Sequence, residues 1–256
     1  MKFAIQKIYI ITIYFFLYFP ILILIIYSIN DSKFSLQWHG LTFKWYKKLF
    51  QDHILWISFI NSIKLGLSSS IITTIIAFFT CIYLFFHTNY HHYTIHITLI
   101  VLMIIPDLIF GISLLLFFRI IFIPLGFISL LIAHITFCLP PSILIINNYL
   151  NSIDSNIYFG AIDLGATQLI IIKKILFPIL WPSILISILL CFTISIDDVI
   201  ISYFLTGPNF NLLSLTIYSL ARTGITPEIN ALCSITIGIS IIITFIVSYL
   251  FYNQFK

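Results

Sequence analysis

Charge is what this sequence has least of. Twelve Lys and Arg and eight Asp and Glu make up 8% of the 256 residues, while 61% are hydrophobic; a soluble domain carries roughly 25% charged residues. That scarcity excludes a solvated globular surface. The formal net charge of +4 comes without any basic block or stripe, which excludes nucleic acid as a partner. Cysteine is sparse as well. Cys81, Cys138, Cys191 and Cys233 each fall inside an apolar run rather than a loop, so no disulfide framework is expected. Also missing is the G-x-x-x-x-G-K-[ST] phosphate loop, so energy for any active process must come from a partner. No small-residue cleavage site follows the first apolar run, which is expected to be a retained helix.

What is present is apolar length, with a mean hydropathy of +1.15. A helix crossing about 30 Å of hydrocarbon needs on the order of 20 mostly apolar residues. Six windows qualify, near residues 8–28, 63–86, 95–118, 125–146, 179–204 and 229–251. They are far longer than the roughly ten-residue alternating strands of a membrane barrel. The expected fold is therefore all-α, a polytopic membrane protein of six transmembrane helices forming a single domain over 1–256. Charge does not choose its orientation: with the termini on one side, that side holds five Lys or Arg and the other seven.

Two loops are long. Residues 29–62 contain "WHGLTFKWYKKLF", where Trp38, Trp45 and Tyr46 mix with Lys44, Lys47 and Lys48, as suits a short helix in the lipid headgroup region. Residues 147–178, "NNYLNSIDSNIYFGAIDLGATQLIIIKKILFP", suggest two short amphipathic helices. Ser152 or Ser155 would cap the first, Tyr158, Ala161, Ile162 and Leu169 would give an apolar face, and the second would run from Gln168 to Phe177, ending at Pro178. Gly165 between them would permit a close turn that a bulky residue would wedge open. The pair reads equally as a docking platform or as a loop packed under its own helices.

This loop resembles the EAA loop of ABC-importer inner-membrane permeases, whose pattern is Glu-Ala-Ala, three residues, Gly, nine residues, Ile, any residue, Leu-Pro. Here the register falls on Phe159, Gly160 and Ala161, on Gly165, on Ile175 and on Phe177-Pro178. Flanking stretches, "PDLIFGISLL", "HITFCLPPS", "SIDDVIISYFLTGPNF" and "IYSLARTGITPEINAL", are similar to PotC-type permeases of spermidine/putrescine importers. The resemblance implies the type I ABC-importer permease fold, both termini cytoplasmic, and a transport subunit in the bacterial inner membrane that carries no catalysis and needs no cofactor. It also implies partners: a cytosolic ABC ATPase dimer, a second, PotB-type permease, a periplasmic polyamine-binding protein, the polyamine itself, and membrane lipid. Coupling to the ATPase would then fall to Phe159, Gly160, Ala161, Asp163, Gly165 and Pro178. Phe159 stands where the family has glutamate, so an apolar contact would replace a polar one there.

Three acids sit in apolar surroundings: Asp107, Asp197 and Asp198. A mid-bilayer carboxylate costs about 2.5 to 3.5 kcal/mol and normally faces a polar cavity or a partner. On one continuous helix, neighbours diverge by about 100°. Cys191, Ser195, Asp198 and Ser202 would then share a polar face, placing Asp198 on the pathway and leaving Asp197 to bond a neighbouring helix or subunit. Pro106 is expected to kink the third span, with Gly111 allowing close approach one turn on. Substrate contacts are expected from Asp107, Asp198, Tyr203 and Phe204, since a chain of ammonium groups separated by methylenes calls for carboxylates alternating with aromatic walls. Asp197 and Asn230 are expected to pack helices, with Ser234 and Gly238 extending the Asn230 stripe. His134 is expected to be a packed, hydrogen-bonded histidine. His87, His91, His92 and His96 have i, i+4 pairs but no acid or cysteine to complete a site, so no metal is expected. Two other functions compete: an intramembrane enzyme using paired aspartates, and a membrane assembly factor without transport activity.

Overall fold

Apolar runs of this length can satisfy their backbone in lipid only as helices or closed barrels. The computed structural model of the chain, which describes residues 2–32, 37–87, 91–223 and 227–254, resolves that choice in favour of helices. Among the described residues the one strand-like pairing is an isolated antiparallel bridge between Asn30 and Leu41. Two compact units can be distinguished, Met1–Ile57 with Thr216–Phe245, and Ser58–Leu215 with Ile246–Lys256.

In the first unit, α1 (Lys2–Ser28) leads to α2 (Lys44–Gln51). The turn joining them is organised by Asn30, whose side chain donates to Gln37 O (2.7 Å) and accepts from His39 N (2.8 Å). The Asn30 carbonyl accepts from Trp45 Nε1 at 2.8 Å, which buries Trp45. Tyr46 then bonds both Ser28 and Ser234 through its hydroxyl, each at 2.7 Å. Because Ser28 ends the apolar helix, these bonds fix α2 at the end of that span, where a headgroup-level helix was expected. Lys48 pairs with Glu228 in the first turn of α12 (Pro227–Gln254). On α12, Asn230 is buried and Ser234 is bonded, but a Cβ at Gly238 would meet nothing within 4 Å. The packed stripe therefore includes Asn230 and Ser234 and stops short of Gly238.

Helix α3 (His53–Phe86) starts about ten residues earlier than the hydropathy window. Asp52 caps it, accepting from Ile54 N and Leu55 N at 2.9 and 3.1 Å. At 34 residues it is about 51 Å long, well beyond the hydrocarbon thickness. The second unit holds most of α3 together with α4 (His91–Ile104), α5 (Asp107–Ile120), α6 (Phe127–Asn151), α7 (Ser155–Asp163) and α8 (Gln168–Ile171). A π-helical turn (Ile172–Leu176) leads from α8 into α9 (Phe177–Asp197), followed by α10 (Ile200–Leu205) and the start of α11 (Leu213–Thr223).

Two expected spans are broken. The third is the pair α4 and α5, bent by 106° at Ile105 and Pro106, so the expected kink is closer to a right-angled turn. The fifth begins at Gln168, runs through the π-helical turn to Asp197, is interrupted at Asp198 and Val199, and resumes as α10. Among the described residues, four helices are long and apolar enough to cross a membrane, five if the bent pair is one span, and α12 is apolar over Pro227–Ile242.

Small hydroxyls let α3, α6 and α9 approach closely. Ser187 bonds Thr74 (3.1 Å) and Ser142 (2.5 Å), tying the three helices at one level, and each thiol of Cys138 and Cys191 donates to the other's backbone carbonyl. Apolar clusters lie at two levels of the unit. One joins Cys81, Ile146, Ile171 and Leu180; the other joins Leu65, Phe118, Leu130 and Leu205.

Near the second cluster, Gly207 lies against the loop before α6: a Cβ there would sit 2.4 Å from Leu125 O. Backbone cannot yield as a flexible side chain can. Gly207→Ala is expected to destabilise the chain by about 1 to 3 kcal/mol, read as a lower yield of monodisperse protein after detergent extraction, whereas Gly160→Ala, with open space around it, should extract like wild type.

Candidate functional site

The interruption between α9 and α10 organises the polar residues of the second unit. A restarted helix has N–H groups without intrahelical partners. Asp198 supplies them: Oδ1 accepts from Ile201 N at 3.2 Å and Oδ2 from Ser202 N at 2.8 Å. Its own carbonyl accepts from Ser214 Oγ at 2.7 Å. The side chain is only 7% exposed and lies 3.7 Å from His134 Nε2. The face assignment made on a continuous helix therefore does not hold, because the helix ends at Asp197 and the Asp198 carboxylate turns back onto its own backbone.

The stripe of Cys191, Ser195 and Ser202 is likewise not a wet face. All three residues are buried, and the two serines meet α6 through His134, with Nδ1 2.8 Å from Ser195 Oγ and Nε2 3.3 Å from Ser202 Oγ. Ser69 of α3 donates to Ser195 at 3.2 Å. His134 is thus the packed, hydrogen-bonded residue that was expected, although the sequence carried no sign that it spans the interruption.

Asp197 takes the opposite situation. It is exposed, and neither it nor the half-buried Asp107 makes a hydrogen bond or ion pair among the described residues. Asp107 opens α5 immediately after Pro106. One turn on, Gly111 faces α10 so closely that a Cβ would meet Phe204 Cδ2 at 3.0 Å and Ile201 Cα at 3.4 Å. Phe204 is thereby committed to the α5–α10 contact, while Tyr203, set edge-on against it, is 59% exposed. Of the four expected substrate contacts, Asp107 and Tyr203 are accessible, Phe204 is partly so, and Asp198 is enclosed.

In the loop 147–178, the cap of α7 is Asp154, which accepts from Asn156 N at 2.9 Å, and not Ser152, whose hydroxyl donates to Tyr149 O. The side chain of Ser155, the other cap candidate, lies outside those described, as do those of His91 and His92. Helix α7 ends in a paired C-cap in which Gly165 N donates to Ile162 O (2.8 Å) and Ala166 N to Ala161 O (3.0 Å), with Gly165 at φ +78°. A Cβ at Gly165 would meet nothing within 4 Å, so the glycine is needed for its backbone conformation and not for room. The expected apolar face divides in two. Ala161 is buried and Tyr158 packs on Phe85 and Phe86, whereas Ile162 and Leu169 point outward with Ile157, Phe159 and Leu164. Leu164 is 89% exposed and Phe159 57%. Gly160, Asp163 and Pro178 are exposed on the same loop.

The chain is a helical membrane protein with a broken span and an apolar-faced surface loop, and its fold is that of ABC-importer permease subunits. One solved relative in fold is a bacterial ABC transporter involved in import of the acidic polysaccharide alginate, with a TM-score of 0.72 at 18% identity, covering 100% of this chain and 97% of that one. In sequence, residues 92–256 match the family described as binding-protein-dependent transport system inner membrane component, and the chain belongs to that family. It is 38% identical to the spermidine/putrescine transport system permease protein PotC of Haemophilus influenzae, over 94% of this chain and 93% of the relative. It is 33% identical to the putrescine transport system permease protein PotI of Escherichia coli, over 92% of this chain and 86% of that one. The chain is a multi-pass membrane transport component and not an enzyme; neither the paired-aspartate enzyme nor the assembly factor is favoured.

Proposed function

We propose that the chain is the permease subunit of an ATP-driven polyamine importer of the bacterial inner membrane, forming half of the pathway beside a second, PotB-type permease. A periplasmic polyamine-binding protein delivers the substrate and a cytosolic ABC ATPase dimer drives the cycle. The observation that carries this reading is the pair of accessible carboxylates, Asp107 and Asp197, which make no hydrogen bond or ion pair among the described residues, in a chain with so little charge and with the ring of Tyr203 also exposed. Ammonium groups separated by methylenes suit that mixture of acid and aromatic wall. The spermidine/putrescine and putrescine permeases among its relatives support the same substrate class.

The ATPase docks on the outward face of α7, the following turn and the start of α8, through Ile157, Phe159, Ile162, Leu164 and Leu169. With Phe159 in place of a carboxylate, that contact is apolar. Reconstitution tests the function: the chain, its partner permease and the ATPase in liposomes should hydrolyse ATP several-fold faster when the binding protein is loaded with spermidine or putrescine. Stimulation by another solute class, with none by polyamines, overturns the reading.

The docking role predicts a conformational effect at Gly165. A left-handed backbone costs a residue with a Cβ about 1 to 2 kcal/mol, and a β-branched residue is a stronger outlier there. Gly165→Val is expected to weaken substrate-stimulated hydrolysis by roughly 5- to 30-fold with normal membrane insertion, while Gly165→Asn should retain most coupling. Full uptake by Gly165→Val would remove the docking role.

A further inference from the structure

Helix α6 grips α10 at both ends. At the far end, Ser129 Oγ donates to Leu205 O at 2.9 Å, and Gly126 N donates to the same carbonyl at 3.2 Å. At the near end stands His134, 2% exposed, on Ser195 before the interruption and on Ser202 after it. On the Nδ1 side lies Ser195 Oγ at 2.8 Å, itself 3.2 Å from Ser69 Oγ of α3. On the Nε2 side lie Ser202 Oγ at 3.3 Å and the Asp198 carboxylate at 3.7 Å. One imidazole therefore holds the end of α9, the carboxylate that starts α10, and α10 itself.

We propose that His134 is a positioning residue for translocation. By bridging Ser195 and Ser202 it fixes the spacing between Asp197, on the last turn of α9, and Tyr203, on α10. The proposal rests on reading those two accessible side chains as substrate contacts. His134 touches no substrate itself; it acts by keeping the interruption from opening and carrying Tyr203 away from Asp197. Buried polar groups packed this way are fully satisfied only in one arrangement, which makes them suited to specifying it.

The test uses the assembled complex. His134→Leu removes both bonds; His134→Asn keeps an amide near the Nδ1 position and His134→Gln one near Nε2. Spermidine uptake in liposomes gives KM and Vmax, and hydrogen exchange by mass spectrometry reports the amides of residues 198–206. Expected for His134→Leu are a KM raised about tenfold, Vmax within about twofold of wild type and faster exchange over 198–206, with Asn and Gln intermediate in both. If His134→Leu does not assemble, the Asn and Gln variants carry the test through the same two measurements. An unchanged KM and unchanged exchange overturn the proposal. So does a fall in Vmax and yield at constant KM, which marks a purely structural histidine. Faster exchange at unchanged KM also overturns the positioning role while leaving the polyamine reading standing. If the wild-type complex takes up no polyamine, that reading fails instead, and the exchange data still decide whether His134 holds the interruption.

Discussion

Replacing Asp198 by alanine is expected to cost the chain its folded state before any transport step can be assayed. Two backbone N–H groups, of Ile201 and Ser202, would lose the acceptors that start α10, in a place where the side chain is 7% exposed and water is scarce. Each buried donor left unsatisfied costs about 1 to 3 kcal/mol, a sum comparable with a large part of a domain's net stability of about 5 to 15 kcal/mol. His134 would also lose the carboxylate facing Nε2. Asp198→Asn should be milder, because the amide oxygen still accepts from one N–H while the amide nitrogen opposes the other. The measurement is the yield and thermal midpoint of the detergent-extracted complex, expected in the order wild type, Asn, Ala. If Asp198→Ala assembles and melts like wild type but transports slowly, Asp198 is a pathway residue and the capping role is secondary.

That order reverses what periodicity suggests, and the reason is physical. A helical-wheel argument assumes an unbroken helix, and "SIDDVIIS" contains no proline or glycine to warn otherwise. Yet an aspartate directly before an apolar run is also a helix-start signal, and there the carboxylate serves its own backbone. The same kind of signal was missed twice more: Asp52, which starts α3 about ten residues ahead of the hydropathy window, and Asp154, which caps α7 in place of the neighbouring serines. Where the determinant is local and covalent, the sequence is legible. Pro106 removes a donor and the chain bends there; Gly111 lacks a Cβ and Phe204 comes close. The apolar face of the 147–178 loop was only half legible: Ile162 and Leu169 turn outward, whereas Tyr158 and Ala161 pack inward. What periodicity does not carry is which helix a polar stripe will meet. Ser195 and Ser202 read as pore-lining until α6 brings His134 between them.

Asp197→Asn is the complementary substitution, with the largest expected effect on transport itself. The residue is exposed at the end of α9 and makes no hydrogen bond or ion pair among the described residues, so the isosteric amide breaks nothing within the chain. Assembly yield and thermal midpoint should match wild type. What the change removes is a negative charge beside the proposed path, and with it one charge-assisted interaction with a passing ammonium group, worth about 1.5 to 3 kcal/mol. A step that depends on that interaction slows by roughly 10- to 150-fold at about 1.4 kcal/mol per decade. Radiolabelled spermidine uptake, normalised to purified complex in liposomes, is the readout, with Tyr203→Leu alongside as a smaller loss of aromatic wall. A charge contribution should also shrink as salt rises, because an exposed carboxylate is screened; the ratio of wild-type to Asp197→Asn uptake should therefore narrow between low and high ionic strength. Should Asp197→Asn instead lower the yield of complex while leaving uptake per complex intact, the exposed carboxylate is a contact for the second permease, and the path runs past Asp107 without it.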